Sequence, residues 1–172
     1  VDTKLGPEMK STGEVMGISR AFGEAYIKSQ IAAGSAMPLT GTLFVSLSDK
    51  SKPKLVEAVR RMQFMGYKVI ATTGTKYYLE ERGISCELVN KATQPEPNIL
   101  NLIRERKIDL IFNTTEDGES KEDDILMHSL TIQFKIPYIS TKPGILAAVN
   151  GLESVKHMQI SINSLQEIHQ IK

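Results

Sequence analysis

Short apolar runs alternate with amphipathic segments along the chain from about Gly41 onward. The apolar runs are short and rich in β-branched residues, which is typical of buried strands. They predict five strands, at residues 42–48, 67–72, 84–89, 108–113 and 137–140. The amphipathic segments predict helices near residues 53–65, 75–82, 98–106, 121–135 and 143–150. Repeated strand–helix units of this length predict an α/β fold, in which helices cover both faces of a mostly parallel five-stranded sheet.

The two ends of the chain have different patterns. Residues 19–33 predict a helix with Phe22, Tyr26 and Ile27 on one face, and GSAMPLTG (34–41) has the composition of a linker. We therefore expect residues 1–35 to be the end of a preceding domain with its connecting helix, and residues 36–172 to form a second domain. Partial alternation at 155–162 predicts an edge strand, and a last helix is expected at 164–171.

The composition narrows the class of protein. Lysine and arginine number 21 against 20 aspartates and glutamates, so no basic excess points to a nucleic-acid partner. The single cysteine excludes a disulfide framework and favours a reducing cytoplasm. No apolar stretch approaches the roughly 20 residues that span a bilayer. We expect a cytoplasmic domain with neither nucleic acid nor membrane as partner.

Polar groups that suit an anion follow four of the predicted strands. In a parallel sheet, ligands bind beyond the carboxyl ends of the strands. The Thr-Thr-Gly-Thr turn at 72–75 places hydroxyls at a helix N-terminus, where the dipole favours an anion, and nearby lysines would neutralise a phosphate. The polar residues at the four ends are Ser46, Ser48, Lys50, Lys52, Thr72, Thr73, Thr75, Lys76, Asn90, Lys91, Asn113, Thr114 and Thr115. They predict a pocket for a phosphorylated small molecule, although the same residues also suit ordinary helix caps and solvated lysines.

Other residues give weaker indications. The three histidines, at positions 128, 157 and 169, lack metal-site spacing with each other and with Cys86, which lies in a predicted buried strand. The acidic run at 116–124 lacks the order of an EF-hand loop, and we interpret it as a solvated loop and helix start. Neither a P-loop nor a GxGxxG motif occurs in the sequence.

Several stretches resemble one family. LGPEMKSTGEVMGI (5–18) resembles the end of the second ATP-grasp half of the carbamoyl-phosphate synthetase large subunit. Residues 41–153 resemble the methylglyoxal-synthase-like domain that ends that subunit, through VSLSDKSK, ATTGT, VNK, FNTT and IPYIST. SLQEIHQIK resembles the C-terminus of the same family. The resemblance implies a Rossmann-like three-layer sandwich that acts as an allosteric regulatory domain.

The resemblance also implies sites for effectors. In this family the domain binds nucleotides such as UMP and IMP. The phosphate-binding positions would be Lys52, Thr72, Thr75 and Lys91, with Ser46 near the pocket and Asn113, Thr114 and Thr115 closing over the nucleotide. An ornithine site would correspond to Leu5, Tyr138, Ile139 and Ser140. Two places depart from the family pattern: Met127 and His128 stand where an arginine pair is common, and Ile139 replaces an Asp.

The implied partners are the rest of the large subunit, the glutaminase small subunit and a nucleotide effector, and association between copies of the domain is left open. The parent enzyme uses ATP, Mg or Mn, and K to make carbamoyl phosphate for pyrimidine and arginine synthesis, whereas this fragment is expected to carry no cofactor and no catalytic residue.

Three alternatives stay open: a stand-alone methylglyoxal synthase, an enzyme like IMP cyclohydrolase, and a purely structural assembly domain. Against the first, residues 113–120 lack the expected Gly-Asp arrangement. Against the second, no Lys-Thr-Leu-His-Pro motif follows Val89. Against the third stand the four polar strand ends.

Overall fold

The computed structural model describes residues 15–19, 22–34, 37–114 and 121–157. Several of the expectations fall outside these ranges and are not tested. They concern Leu5, Thr115, most of the acidic run at 116–124, and the chain beyond residue 157, with its predicted last helix. Of the helices within the described ranges, none is long and apolar enough to cross a membrane.

Five parallel strands form one sheet, in the order β3-β2-β1-β4-β5. The strands are β1 (Gly41–Leu47), β2 (Tyr67–Ala71), β3 (Glu87–Leu88), β4 (Leu110–Thr114) and β5 (Tyr138–Ile139). This confirms the predicted α/β class and the parallel sheet. The third and fifth strands are shorter than predicted, with two residues each, because both lie at the edges of the sheet and pair on one side only.

In the described residues, six helices surround the sheet: α1 (Phe22–Ala32), α2 (Lys52–Phe64), α3 (Thr73–Glu80), α4 (Ile99–Arg104), α5 (Lys121–Phe134) and α6 (Lys142–His157). Pro53 lies in the first turn of α2, where a missing N–H costs nothing. Asn98 caps α4 through a capping box with Asn101, as its position in the sequence predicted. The edge strand predicted from residue 155 is wrong at its start, because Val155 lies in α6. Ile145, Ala148, Val149 and Leu152 are buried at helical spacing, which continues the helix past residue 150.

Apolar side chains fill both faces of the sheet. Along β1, Leu43 and Val45 pack with α1, α2, α3 and α6, whereas Phe44 points to the opposite face and packs with α4 and α5. The same alternation occurs in β4, as expected for a strand buried on both sides. The central strands are therefore held from both faces, and their carboxyl ends are fixed relative to one another.

Helix α1 packs against α6 through two glycines. A Cβ atom added to Gly23 would lie 2.7 Å from the Gly151 backbone nitrogen, so the two helix backbones are almost in contact. Ile27 is buried beside this crossing, whereas Phe22, predicted to lie on the same face, is 75% exposed. The prediction for Phe22 is wrong because the close approach of the two helices turns Gly23 toward α6 and Phe22 away from it. The domain boundary near residue 35 stays a prediction.

Candidate functional site

A cavity of about 230 Å³ opens at the carboxyl ends of the two central strands. The chain runs from β1 through β2 to β3 on one side of the sheet and from β4 to β5 on the other. Strands β1 and β4 are therefore neighbours at the point where the strand order reverses, and Ser46 is in register with Asn113 there. Open parallel sheets bind ligands at this kind of switch point, because the loops on either side diverge and leave a crevice.

The structure brings together almost all the residues predicted to bind a phosphorylated ligand. The predicted residues that line the cavity are Ser46, Lys52, Thr72, Thr75, Lys91, Asn113 and Thr114. They come from the ends of four different strands and meet only because the sheet is parallel. Thr115 lies outside the described residues.

Three hydroxyl groups form the floor of the cavity. The Thr75 hydroxyl accepts the Leu47 N–H at 2.9 Å, which ties the start of α3 to the end of β1. The Thr72 hydroxyl lies 3.3 Å from Ser46 Oγ and 3.4 Å from Thr75 Oγ1. Thr72 occupies the N-cap position of α3, but its side chain does not cap the helix. The interpretation of Thr72 as an ordinary cap therefore fails, because its hydroxyl does not accept from the first-turn amides of α3.

Lys52 lies close to the same end of α3. Its ammonium group would be 3.5 Å from a Cβ added to Gly74, which places it within van der Waals distance of the first turn of α3. Lys52 is 12% exposed and pairs at 2.5 Å with Asp49, which is 90% exposed. The hydrogen bond from Lys52, helped by its charge, lowers the pKa of Asp49 below its usual range. An ammonium group is thus held beside the positive end of a helix dipole, a place that suits an anion.

Two carboxylates of α5 also line the cavity, and sequence reasoning missed them. Asp123, at the end of the run predicted to be a solvated loop and helix start, is buried and accepts the Thr93 N–H at 2.6 Å. That prediction is wrong for Asp123, because the first turn of α5 faces the loop after β3. The available signal was helical spacing, since Asp123 lies four residues before the buried Met127.

Asn113 connects the cavity to β5. Its amide nitrogen lies 2.6 Å from Asp124 Oδ1 and 2.6 Å from the Tyr138 hydroxyl oxygen. Burial raises the pKa of Tyr138, the hydrogen bond from Asn113 opposes that shift, and the charge of Asp124 adds to it. The edge of the His128 ring also packs against Tyr138, with ring centres 5.2 Å apart. Asn113 is therefore held on two sides.

Apolar side chains form the remaining wall. Phe44, Ala92, Ile99 and Met127 line the cavity and are buried. Met127 stands where the resemblance led us to note a missing arginine, and it contributes apolar surface instead of charge. The cavity can thus hold a polar, anionic group at the strand ends and an apolar ring or chain against this wall.

Comparison with known protein families gives a direct assignment. The model of the MGS-like domain matches residues 54–140, which is about half of the chain. The chain belongs to the MGS-like domain family. Methylglyoxal synthase from Elizabethkingia anophelis has the same fold, with a TM-score of 0.53 over 66% of this chain and 79% of that chain, at 18% identity.

The MGS-like domain here is similar in sequence to parts of much longer proteins. It is 48% identical to the carbamoyl phosphate synthase large chain, C-terminal section, of Methanopyrus kandleri, over 98% of this chain and 31% of that protein. The corresponding values for the C-terminal section from Aquifex aeolicus are 39%, 99% and 33%. For the carbamoyl phosphate synthase large chain of a Nostoc species they are 43%, 96% and 15%. The chain therefore spans about a third or less of the length of these relatives.

Of the positions predicted for an ornithine site, the three described ones, Tyr138, Ile139 and Ser140, do not share one surface. Tyr138 bonds to Asn113, and Ile139 packs in the core with α2 and α6. Ser140 is exposed and lines a second cavity of about 290 Å³, together with Lys50, Ser51, Thr141 and Lys142. Leu5 lies outside the described residues, so the ornithine site stays a prediction.

Metal and thiol chemistry gain no support from the described residues. Within residues 15–19, 22–34, 37–114 and 121–157, no three metal-binding side chains cluster. Cys86 is buried just before β3, as expected for a core residue, and burial raises the pKa of its thiol.

Proposed function

We propose that this chain is the C-terminal regulatory domain of a carbamoyl phosphate synthase large chain, and that its cavity binds a nucleoside monophosphate effector. The observation that carries the proposal is the meeting of Lys52, Lys91 and the uncapped start of α3 in one cavity. The similarity to large chains over 96–99% of this sequence supports the parent enzyme.

The phosphate would lie between the two lysines and the first turn of α3. Backbone amides at a helix start and lysine ammonium groups are common ligands of phosphate. The pair between Lys52 and Asp49 is no obstacle, because an ion pair whose carboxylate is 90% exposed is screened by solvent and is weak. A dianionic phosphate that also accepts from α3 can therefore displace Asp49 from Lys52.

The rest of the ligand would lie against the apolar wall. Phe44, Ile99 and Met127 are held rigidly by the packing of α4 and α5 on the sheet. Their buried apolar surface suits a heterocyclic base, whose burial contributes about 25 cal/mol per Å² of apolar surface. A free phosphate would lose this contribution, so the wall favours a nucleotide.

Regulation would follow from a difference in affinity between two states of the parent protein. A ligand shifts such an equilibrium only by that difference, typically about 1–3 kcal/mol. Helix α1 packs on α6 and leads back toward the first residues of the chain, which makes it the physical link. The regulated reaction would be ATP-dependent carbamoyl phosphate synthesis by the rest of the large chain with a glutaminase small subunit and the metal ions those parts require.

Calorimetric titration of the chain with UMP, IMP and ornithine tests the proposal. We expect one of the nucleotides to bind, and Lys91→Ala and Lys52→Ala each to weaken it by about 10- to 100-fold, the value of a hydrogen bond to a charged group. Lys54→Ala is the matched control, because Lys54 is exposed and does not line the cavity. If neither nucleotide binds at millimolar concentration, or if Lys54→Ala weakens binding as much as Lys91→Ala, the proposal fails.

One observation favours a second candidate function. Asp123 and Asp124 lie in the same cavity as the proposed phosphate site, and a carboxylate beside a bound sugar phosphate can act as a general base. The stand-alone methylglyoxal synthase therefore remains an alternative. Release of methylglyoxal from dihydroxyacetone phosphate by the chain would establish that activity and replace the regulatory assignment.

A further inference from the structure

The hydrogen bonds of Asn113 fix the direction of its amide group. Its nitrogen lies 2.6 Å from Asp124 Oδ1 and 2.6 Å from the Tyr138 hydroxyl. A carboxylate can only accept hydrogen bonds, so the Asn113 atom beside Asp124 must be the NH₂ group. Asp124 and Tyr138 then engage both of its hydrogens, and Asn113 has no donor left for a ligand.

The carbonyl oxygen of Asn113 faces the cavity. Asn113 is 2% exposed, and it lines the cavity. In the part of the chain that the structure describes, its Oδ1 has no donor, yet no buried side-chain oxygen or nitrogen there lacks a partner. Oδ1 is therefore reached by solvent, and the cavity is the opening beside it. Asn113 can only accept a hydrogen bond from a ligand.

Asp124 places a second acceptor beside the Asn113 amide group. One carboxylate oxygen of Asp124 receives the Asn113 amide, and the carboxylate itself lines the cavity. The two acceptors come from β4 and the helix after it. The cationic groups Lys52 and Lys91 follow β1 and β3, on the other side of the switch point. The cavity therefore has a side that suits an anion and a side that suits hydrogen-bond donors.

Building on the proposed function, we propose that Asn113 and Asp124 bind the vicinal hydroxyl groups of the ligand's ribose, and that Tyr138 is a positioning residue that keeps Asn113 in its accepting orientation. Two adjacent hydroxyls donate to two adjacent acceptors, and one of these acceptors is charged, which strengthens the bond. The arrangement thus selects ribonucleoside monophosphates over their dideoxy forms.

Three probes separate the sugar contact from the phosphate contact: UMP, 2′,3′-dideoxyuridine 5′-monophosphate and inorganic phosphate. We expect wild type to bind UMP about tenfold more tightly than the dideoxy form, the lower range for a hydrogen bond to a charged group. Asp124→Asn keeps an acceptor for Asn113 but turns an N–H toward the cavity. The variant should bind UMP about tenfold more weakly than wild type and the dideoxy form with an affinity within about twofold of wild type. Inorganic phosphate should bind equally well or more tightly, because one negative charge is gone.

Two further variants complete the test. Tyr138→Phe removes the second acceptor of Asn113 and should lower the preference for UMP over the dideoxy form by about threefold, with little change in phosphate binding. Glu57→Gln removes the same charge from the exposed face of α2 and should change none of the three affinities.

The outcomes distinguish the two levels of the proposal. If wild type binds UMP and the dideoxy form equally, the acceptor assignment is wrong while the phosphate site stands. The assignment is also wrong if Asp124→Asn changes all three affinities by the same factor, since Asp124 would then influence binding only through its charge or through the folding of the protein. If wild type binds none of the three probes and does not bind IMP, the proposed function itself fails and this inference with it. If only IMP binds, IMP and its 2′,3′-dideoxy form take the place of the uridine pair in the same test.

Discussion

Replacing Gly151 by alanine tests how tightly α1 is attached to the domain. A Cβ atom at this position would lie 2.5 Å from Ile27 Cγ1 and well inside contact distance of the Gly23 carbonyl oxygen. The carbonyl belongs to the backbone of α1, so no side-chain rotation can relieve the clash. Helix α1 must move away from α6, or α6 must bend.

The sign of the change in stability shows whether helix propensity or packing against α1 dominates at this position. Helix propensity alone favours alanine over glycine inside a helix by about 1 kcal/mol. Against it, displacement of α1 would re-expose Ile27, whose burial contributes about 1.5–3 kcal/mol, and overpacking of this kind typically costs about 1–3 kcal/mol. We therefore expect Gly151→Ala to lower the free energy of unfolding by about 1–2 kcal/mol, or the Tm by about 2–8 °C for a domain of this size.

Urea and thermal denaturation of the two proteins measure this change. Ser154→Ala is the matched control, because it lies one turn further along α6 and its hydroxyl bonds only to the Asn150 carbonyl. It should change the stability by no more than about 0.5 kcal/mol. If Gly151→Ala is as stable as wild type or more stable, propensity dominates, and the close packing of α1 on α6 is refuted.

Three other predictions concern single residues. Burial, helped by the charge of Asp109, raises the pKa of Tyr67 to about 12. The folded state then keeps a proton that the unfolded state loses near pH ~10, so stability should fall as pH rises from about 10 to 12, and Tyr67→Phe should flatten that fall in urea titrations. Asn98→Ala removes the capping box of α4 and should cost about 1 kcal/mol in urea unfolding, and a change below about 0.3 kcal/mol would contradict the cap. Cys86 is buried with a raised thiol pKa, so a thiol reagent should label it far more slowly in the folded than in the denatured protein, and equal rates would refute its burial.

The sequence pattern predicted the order and type of the elements because each strand–helix unit is local. The central strands β1, β2 and β4 each carry an apolar run, and the pattern placed each of them to within two residues. The edges were less predictable. Ile84 and Cys86 are apolar and buried but do not pair as a strand, since burial and ladder hydrogen bonds are separate requirements.

The candidate site was predictable on its cationic side, whereas on the acceptor side the pattern predicted Asn113 and Thr114 but not Asp123 or Asp124. Lys52, Thr72, Thr75 and Lys91 follow strands directly, so the rule for parallel sheets was enough to group them. The acceptor side depends on contacts between distant parts of the chain. Asp123 accepts from Thr93, 30 residues earlier, and Asn113 donates to Tyr138, 25 residues later. Such contacts depend on how α5 and β5 pack, which local pattern does not determine.

The pairing of β1 with β4 has a consequence for the order of events in folding. Ser48 and Thr114 are 66 residues apart, yet the Ser48 N–H donates to Thr114 beside the cavity. Contacts that close so long a loop form slowly, because the chain loses much conformational freedom before it gains them. The two halves of the cavity therefore meet only when the central pair has formed. A ligand would find no partly assembled pocket on the nascent chain, and its binding would report that folding is complete.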